Sequence, residues 1–148
     1  MRDVAYIALG SNLGDRQGHL ARARAALAAL PSSRVIAESS IEETEPLGGL
    51  AQPYYLNQMV ALETSLSPHE LLEHLQVIEH HEGRTRHERW GSRTLDLDVV
   101  CFEHQSVQTE ALRIPHPGLE SRPFWQRELR ELRELRELRD TAAPERQP

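Results

Sequence analysis

The segment Arg89-Trp90-Gly91-Ser92-Arg93-Thr94-Leu95-Asp96-Leu97-Asp98-Val99-Val100 sets two carboxylates two residues apart inside an apolar run. Side chains alternate between faces along a β-strand, so Asp96 and Asp98 project one way while Leu95, Leu97 and Val99 project the other. Two acids on one face of such a strand are costly to bury without a positive partner. Just upstream stand Arg84, Arg86, Arg89 and Arg93 against the single acid Glu88, a local charge of +3. Paired carboxylates suited to Mg²⁺, beside guanidiniums suited to phosphate, are the equipment of phosphoryl transfer.

Composition narrows the class. A chain of 148 residues with 39% hydrophobic and 27% charged residues fits one soluble domain with a real core. No apolar run reaches membrane-spanning length, and Met1-Arg2-Asp3-Val4 lacks the layout of a signal peptide. Cys101 is the lone cysteine, which excludes a disulfide framework and a multi-cysteine metal site. The expected setting is the cytoplasm, with no membrane partner. A net charge of −6 argues against a broad nucleic-acid surface, whereas the focused positive cluster suits a small polyanion such as a nucleoside triphosphate. All 17 basic residues are arginine, so phosphate contacts fall to guanidinium forks and backbone amides, and the lysine of a P-loop is missing. His80 and His81 are adjacent and project in different directions on a helix, which with His87 makes a poor metal site.

Elements must position these groups. Val4 to Leu9 predicts a strand closed by a turn at Gly10-Ser11-Asn12. A helix follows from about Asp15, with Leu20, Ala23, Leu27 and Leu30 on one stripe and Pro31 ending it. Val35 to Ile41 and Tyr55 to Thr64 read as strands around a Pro- and Gly-rich loop over 44–53, long enough to carry function. Ser67-Pro68-His69-Glu70 has the form of a capping box with proline at the first helical position, and the helix should run to a glycine cap at Gly83. The Asp96/Asp98 strand extends to about Phe102. This order predicts an α+β fold, a ferredoxin-like antiparallel sheet with both helices on one face. From Arg127 the chain repeats Arg-Glu-Leu, with Leu129, Leu132, Leu135 and Leu138 three apart. An α-helix turns ~100° per residue, so this spacing drifts around the helix without building one stripe. The expectation is a domain over 1–126 and a separate tail over 127–148, helix-prone and mostly solvated, then disordered from Thr141.

Several segments together resemble a known family. Ala8-Leu9-Gly10-Ser11-Asn12-Leu13-Gly14-Asp15, Tyr55-Leu56-Asn57, Gly83-Arg84-x-Arg86, the Arg89–Asp98 block and Ile114-Pro115-His116-Pro117 are similar, in order, to the 6-hydroxymethyl-7,8-dihydropterin pyrophosphokinases. The resemblance implies transfer of the diphosphate of ATP to a reduced pterin with release of AMP, by a monomer using two Mg²⁺ ions. By that resemblance Asp96 and Asp98 hold the metals, and Arg84 and Arg93 hold the phosphates. Arg86, Arg89 and Trp90 belong to a segment from about 84 to 92 that closes over the nucleotide. Leu72, Gln76, Glu79 and Val99 fall in the nucleotide pocket, and His116 and Arg122 hold its phosphates and ribose. The pterin side is Thr44, Leu47, Tyr55, Asn57 and Phe124. A flat heterocycle with an amide-like edge suits aromatic stacking plus a donor–acceptor side chain. On pattern alone, Tyr55 and Asn57 could equally be ordinary core, and His116 between two prolines could equally be a turn residue. Ala111 stands where some relatives have a basic residue, and Ser92 where the family usually has proline. The alternative reading is an impaired ligand-binding module with an interaction tail.

Overall fold

The computed structural model describes residues 2–45, 53–83 and 94–142. In chain order the elements are β1 (Asp3–Ser11), α1 (Arg16–Ala28), β2 (Ser33–Glu38), β3 (Glu42–Thr44), β4 (Tyr55–Thr64), α2 (Pro68–His81), β5 (Asp96–Phe102), a small hairpin of β6 (Val107–Gln108) and β7 (Arg113–Ile114), a 3₁₀ turn (Leu119–Ser121) and α3 (Pro123–Ala142). The main sheet runs β2-β4-β1-β5, with β3 pairing the other end of the edge that β2 shares with β4. Every pairing given is antiparallel. This is the ferredoxin-like order with one strand split in two, an α+β fold with three helices packed on the sheet.

All nine residues of β1 are buried. The reason is its central place, between β4 and β5 and covered on both faces. Arg24 of α1 reaches Gln58, which lies opposite Leu9, on the face shared with Leu97. The other face carries Tyr6, Ala8 and Gly10, and there Arg133 of α3 stands over the Tyr6 ring at 5.5 Å. The strand therefore reads as an unbroken apolar run, as strands buried on both faces do. It also continues through Gly10 and Ser11, where the sequence suggested a turn.

Local chemistry sets the helix starts. Asp15 caps α1 by accepting from the Gly18 N–H, and Leu20, Ala23 and Leu27 are its buried stripe. Ser67 and Glu70 form the reciprocal capping box of α2, with Pro68 opening the helix and Gly83 beyond its end at φ 85°. The predicted strand over 35–41 is divided by Ser39. Its N–H keeps a ladder bond to the Met59 carbonyl, but its Oγ accepts from the Met59 N–H and its carbonyl accepts from the Gln58 side chain, so side-chain bonds take over the return half of the ladder before β3 resumes it.

The C-terminal repeat forms one helix that crosses residue 126 without a break and continues to Ala142. Most of the repeat is exposed, but Leu129 and Leu132 are buried together with Trp125 and Glu128, while Leu135 is 39% and Leu138 65% exposed. Each leucine falls ~60° behind the last, so the first two meet the sheet and the last two turn outward. Arginines then rotate inward. Arg136 donates to the Tyr6 hydroxyl at 2.7 Å and to Glu103 at 3.2 Å, and Arg139 donates to the Ile36 carbonyl at 3.1 Å. Leu132→Ala should therefore destabilise the protein by about 2–5 kcal/mol, and Leu138→Ala by less than about 0.5 kcal/mol. Urea unfolding of the two variants measures this; equal effects would show that α3 does not pack as described.

Candidate functional site

The register of three strands builds the site floor. Asn57 lies opposite Gly10 across β4 and β1, and Gly10 lies opposite Asp96 across β1 and β5. One step along, Met59, Ala8 and Asp98 make the next row. Tyr55, Asn57, Asp96 and Asp98 thus share one face, as alternation requires. Gly10 is needed in the middle: a Cβ there would stand 3.3 Å from Asn57 Oδ1 and 3.5 Å from the Tyr55 ring. Sequence reading missed this role because Gly10-Ser11-Asn12 looks like a turn.

Strand β3 brings Thr44 opposite Tyr55. The Asn57 amide, only 6% exposed, donates to the Thr44 hydroxyl, and its carbonyl oxygen is turned toward Gly10. Arg16 Nη1 donates both to Glu43 and to the Tyr54 carbonyl at 2.8 Å, and Asn12 donates to the Pro53 carbonyl at 3.1 Å, so α1 and the end of β1 anchor both approaches to this corner. Thr44, Tyr55 and Asn57 are brought together. Phe124 is half-buried at the start of α3.

The other half lies along the free edge of β5. A cavity of about 270 Å³ is lined by Leu72, Leu97, Asp98, Val99, the stretch 110–113, His116 and Pro117. The predicted Leu72, Val99 and His116 therefore meet at one cavity with Asp98. Arg113 lines it as well, two residues from the Ala111 position where a basic residue was missing. Gln76 is exposed on α2 and does not line it. Glu79 is buried and caps the strand edge, its Oε2 accepting from the Leu97 N–H at 2.8 Å.

His116 is held in a definite state. Its backbone N–H donates to the Val100 carbonyl at 2.7 Å, and its ring Nδ1 accepts from the Gly118 N–H at 2.8 Å. An imidazole nitrogen that accepts carries no proton, so in the neutral ring the proton sits on Nε2, 3.7 Å from Asp98 Oδ1. Burial, and then the Arg122 guanidinium, hold its pKa below the usual histidine range. The site thus offers a neutral N–H donor next to a carboxylate. Trp125 supports it: its ring meets His116 edge-on at 4.9 Å, with Arg122 over it at 4.5 Å and Phe124 at 6.4 Å. This tryptophan joins the two halves of the site. Its adjacency to Phe124 was the only sequence signal for it.

Asp96 and Asp98 are hard oxygen donors on one face, and the Asp98 side chain is 44% exposed. Mg²⁺ is commonly held by one or two carboxylates plus substrate phosphates, and this pair fits that need. Among the described residues no group of three or more His, Cys, Asp or Glu gathers into a complete protein cage. Leu47, Arg84, Arg86, Arg89, Trp90 and Arg93 lie outside the described residues.

A ferredoxin-like sheet thus carries a carboxylate pair between the Thr44–Tyr55–Asn57 corner and a cavity of mixed polar and apolar lining. Residues 6–134 match the family model of 7,8-dihydro-6-hydroxymethylpterin-pyrophosphokinase, and the chain belongs to this family. It is 48% identical over 124 residues to the 2-amino-4-hydroxy-6-hydroxymethyldihydropteridine pyrophosphokinase of Bacillus subtilis, covering 84% of this chain and 74% of that protein. It is 44% identical over 121 residues to the enzyme of the same name from Haemophilus influenzae, covering 82% and 76%. Against that from Pseudomonas putida it is 42% identical over 112 residues, covering 76% and 92%. The family match extends into α3, past the point where the repeat begins.

The state of His116 is directly measurable. Nitrogen-resolved NMR should show a protonated Nε2 and an unprotonated Nδ1 at neutral pH, with a midpoint below the ordinary value of 6.5. A midpoint well above that value would mean that Asp98, rather than burial and Arg122, controls the ring.

Proposed function

We propose that the protein transfers the terminal diphosphate of ATP to the hydroxymethyl group of 6-hydroxymethyl-7,8-dihydropterin, releasing AMP, as a step of folate biosynthesis. The observation that carries the reading is the row Asn57–Gly10–Asp96. It sets the pterin corner and the carboxylate pair on one sheet face, two strand spacings or about 10 Å apart. Tyr55 and Phe124 stack on the pterin ring, while Thr44, Asn57 and Leu47 meet its edge. Leu72 and Val99 pack against the nucleotide base, with Gln76 and Glu79 along the same helix. His116 donates from Nε2 to phosphate oxygen, and Arg122 serves the phosphates and ribose. Arg84 and Arg93 hold the transferred diphosphate. Arg86, Arg89 and Trp90 exclude water, which otherwise competes as acceptor.

Two Mg²⁺ ions held by Asp96 and Asp98 would neutralise charge on the diphosphate. In the reaction the hydroxymethyl oxygen attacks the β-phosphorus and loses its proton. The bond from that phosphorus to the α,β-bridging oxygen breaks, and AMP keeps the electron pair. The chain contributes orientation and charge complementarity without a covalent intermediate. The protein acts as a monomer in the cytoplasm, on a small reduced pterin, with neither nucleic acid nor membrane as partner. Among the described residues no helix is long and apolar enough to cross a membrane. The binding-module alternative is not favoured, since the chain belongs to the pyrophosphokinase family over residues 6–134.

Asp96→Ala or Asp98→Ala should leave the fold intact and lower AMP release by at least about 10²–10³-fold. Wild-type-like turnover by either variant would sink the metal assignment.

A further inference from the structure

Helix α3 grips the chain where it enters β3. Glu131 accepts from the Ser40 N–H at 2.9 Å and from the Ser40 hydroxyl at 2.8 Å. Arg127 donates to Glu42 Oε1 at 2.9 Å. Between them lies Glu128, 1% exposed, one helical turn beyond Phe124 and facing Glu42. Taken as ions, Glu42 Oε2 and both Glu128 oxygens are buried without a hydrogen-bond donor among the described residues. A carboxylate only accepts, so two facing carboxyls satisfy each other when one proton lies between them. Arg127 already donates to Glu42, and the shared proton is assigned to the more deeply buried Glu128.

We propose that Glu128 is a positioning residue for the pterin half of the site, clasping α3 to β3 through a proton shared with Glu42. The inference rests on the functional reading above in taking Thr44 and Asn57 as pterin contacts. Glu42 lies opposite Asn57, and Thr44 opposite Tyr55, so a displaced β3 carries the Thr44–Asn57 bond with it. The ATP cavity lies along β5 at the far edge of the sheet, and none of its lining residues belongs to the clasp; Trp125, the link between the two, is held on its side by His116 and Arg122. The charged groups around Glu128 are Glu42 from β3 and Arg127 and Glu131 from α3 itself. On the same face β4 presents the Tyr55 phenol and the uncharged Asn57 and Met59. Burial first, then Glu42, push the Glu128 carboxyl up to about 9.

The sign follows from proton binding. The folded state holds this proton across a range where the unfolded chain has lost it, so the associated stability falls as pH rises from about 4.5 toward about 9. Glu128→Gln keeps a donor toward Glu42 and does not titrate. Its advantage in Tm over the full-length wild type should grow across that interval, and a wild-type infrared band of a protonated carboxyl should disappear in the variant. In turnover, the wild-type KM for pterin should rise about tenfold from pH 7 to 10 while the KM for ATP holds. Glu128→Ala should show the raised pterin KM at every pH, and Glu128→Gln should restore it. A pH-independent stability difference, absence of the band at pH 7, or parallel changes in the two KM values would overturn the clasp. Failure of the wild type to turn over at all would instead overturn the functional reading, leaving the stability and infrared results to decide the clasp.

Discussion

The structure depends on the double antiparallel pairing of β1. A one-residue slip against β4 or β5 would turn Ile7 and Leu9 out of one core and bring Tyr6 and Gly10 in, reversing every side chain in the strand. The register is therefore held by the whole apolar content of both core layers. The same register sets Asn57 and Asp96 on either side of Gly10. Site geometry is thus a by-product of core packing, and the chemistry inherits the rigidity of the most buried strand.

Around that strand the polar contacts divide by task. Glu79 satisfies the open edge of β5, and Gly118 fixes the proton of His116 by donating to its other nitrogen. Arg16 and Asn12 tie down both approaches to the Thr44–Tyr55–Asn57 corner. Trp125 connects the halves, touching His116 on one side and Phe124 on the other. Helix α3 packs through only two leucines of its repeat, then through arginines that reach Tyr6, Glu103 and Ile36. A repeat of three thus docks by changing the chemistry of its contact along its length.

Much of the fold was legible from local chemistry. The box at Ser67 and Glu70, the cap at Asp15 and the apolar run from Tyr55 to Thr64 involve neighbours in sequence, and all three elements stand where those signals put them. The split at Ser39 was not legible, because it depends on bonds to Met59 and Gln58 twenty residues away. The burial of Leu129 and Leu132 was not legible, because a drifting repeat forms no stripe, although two successive leucines still suffice to seat a helix end. For the site, the Asp96/Asp98 alternation predicted the shared face, and Leu72, Val99 and His116 do meet at one cavity. Gly10, Trp125, Arg113 and the Glu42–Glu128 pair were invisible, since their roles arise from registers and helix docking that a linear pattern does not carry.

The central claim is that one sheet face brings a pterin hydroxyl to the β-phosphorus of ATP. The most direct measurement is nucleotide product formed by the wild-type protein from ATP, with and without 6-hydroxymethyl-7,8-dihydropterin and Mg²⁺. The account predicts AMP, matched mole for mole by pterin diphosphate, and only when both are present. Formation of ADP, or AMP released at the same rate without the pterin, would contradict it.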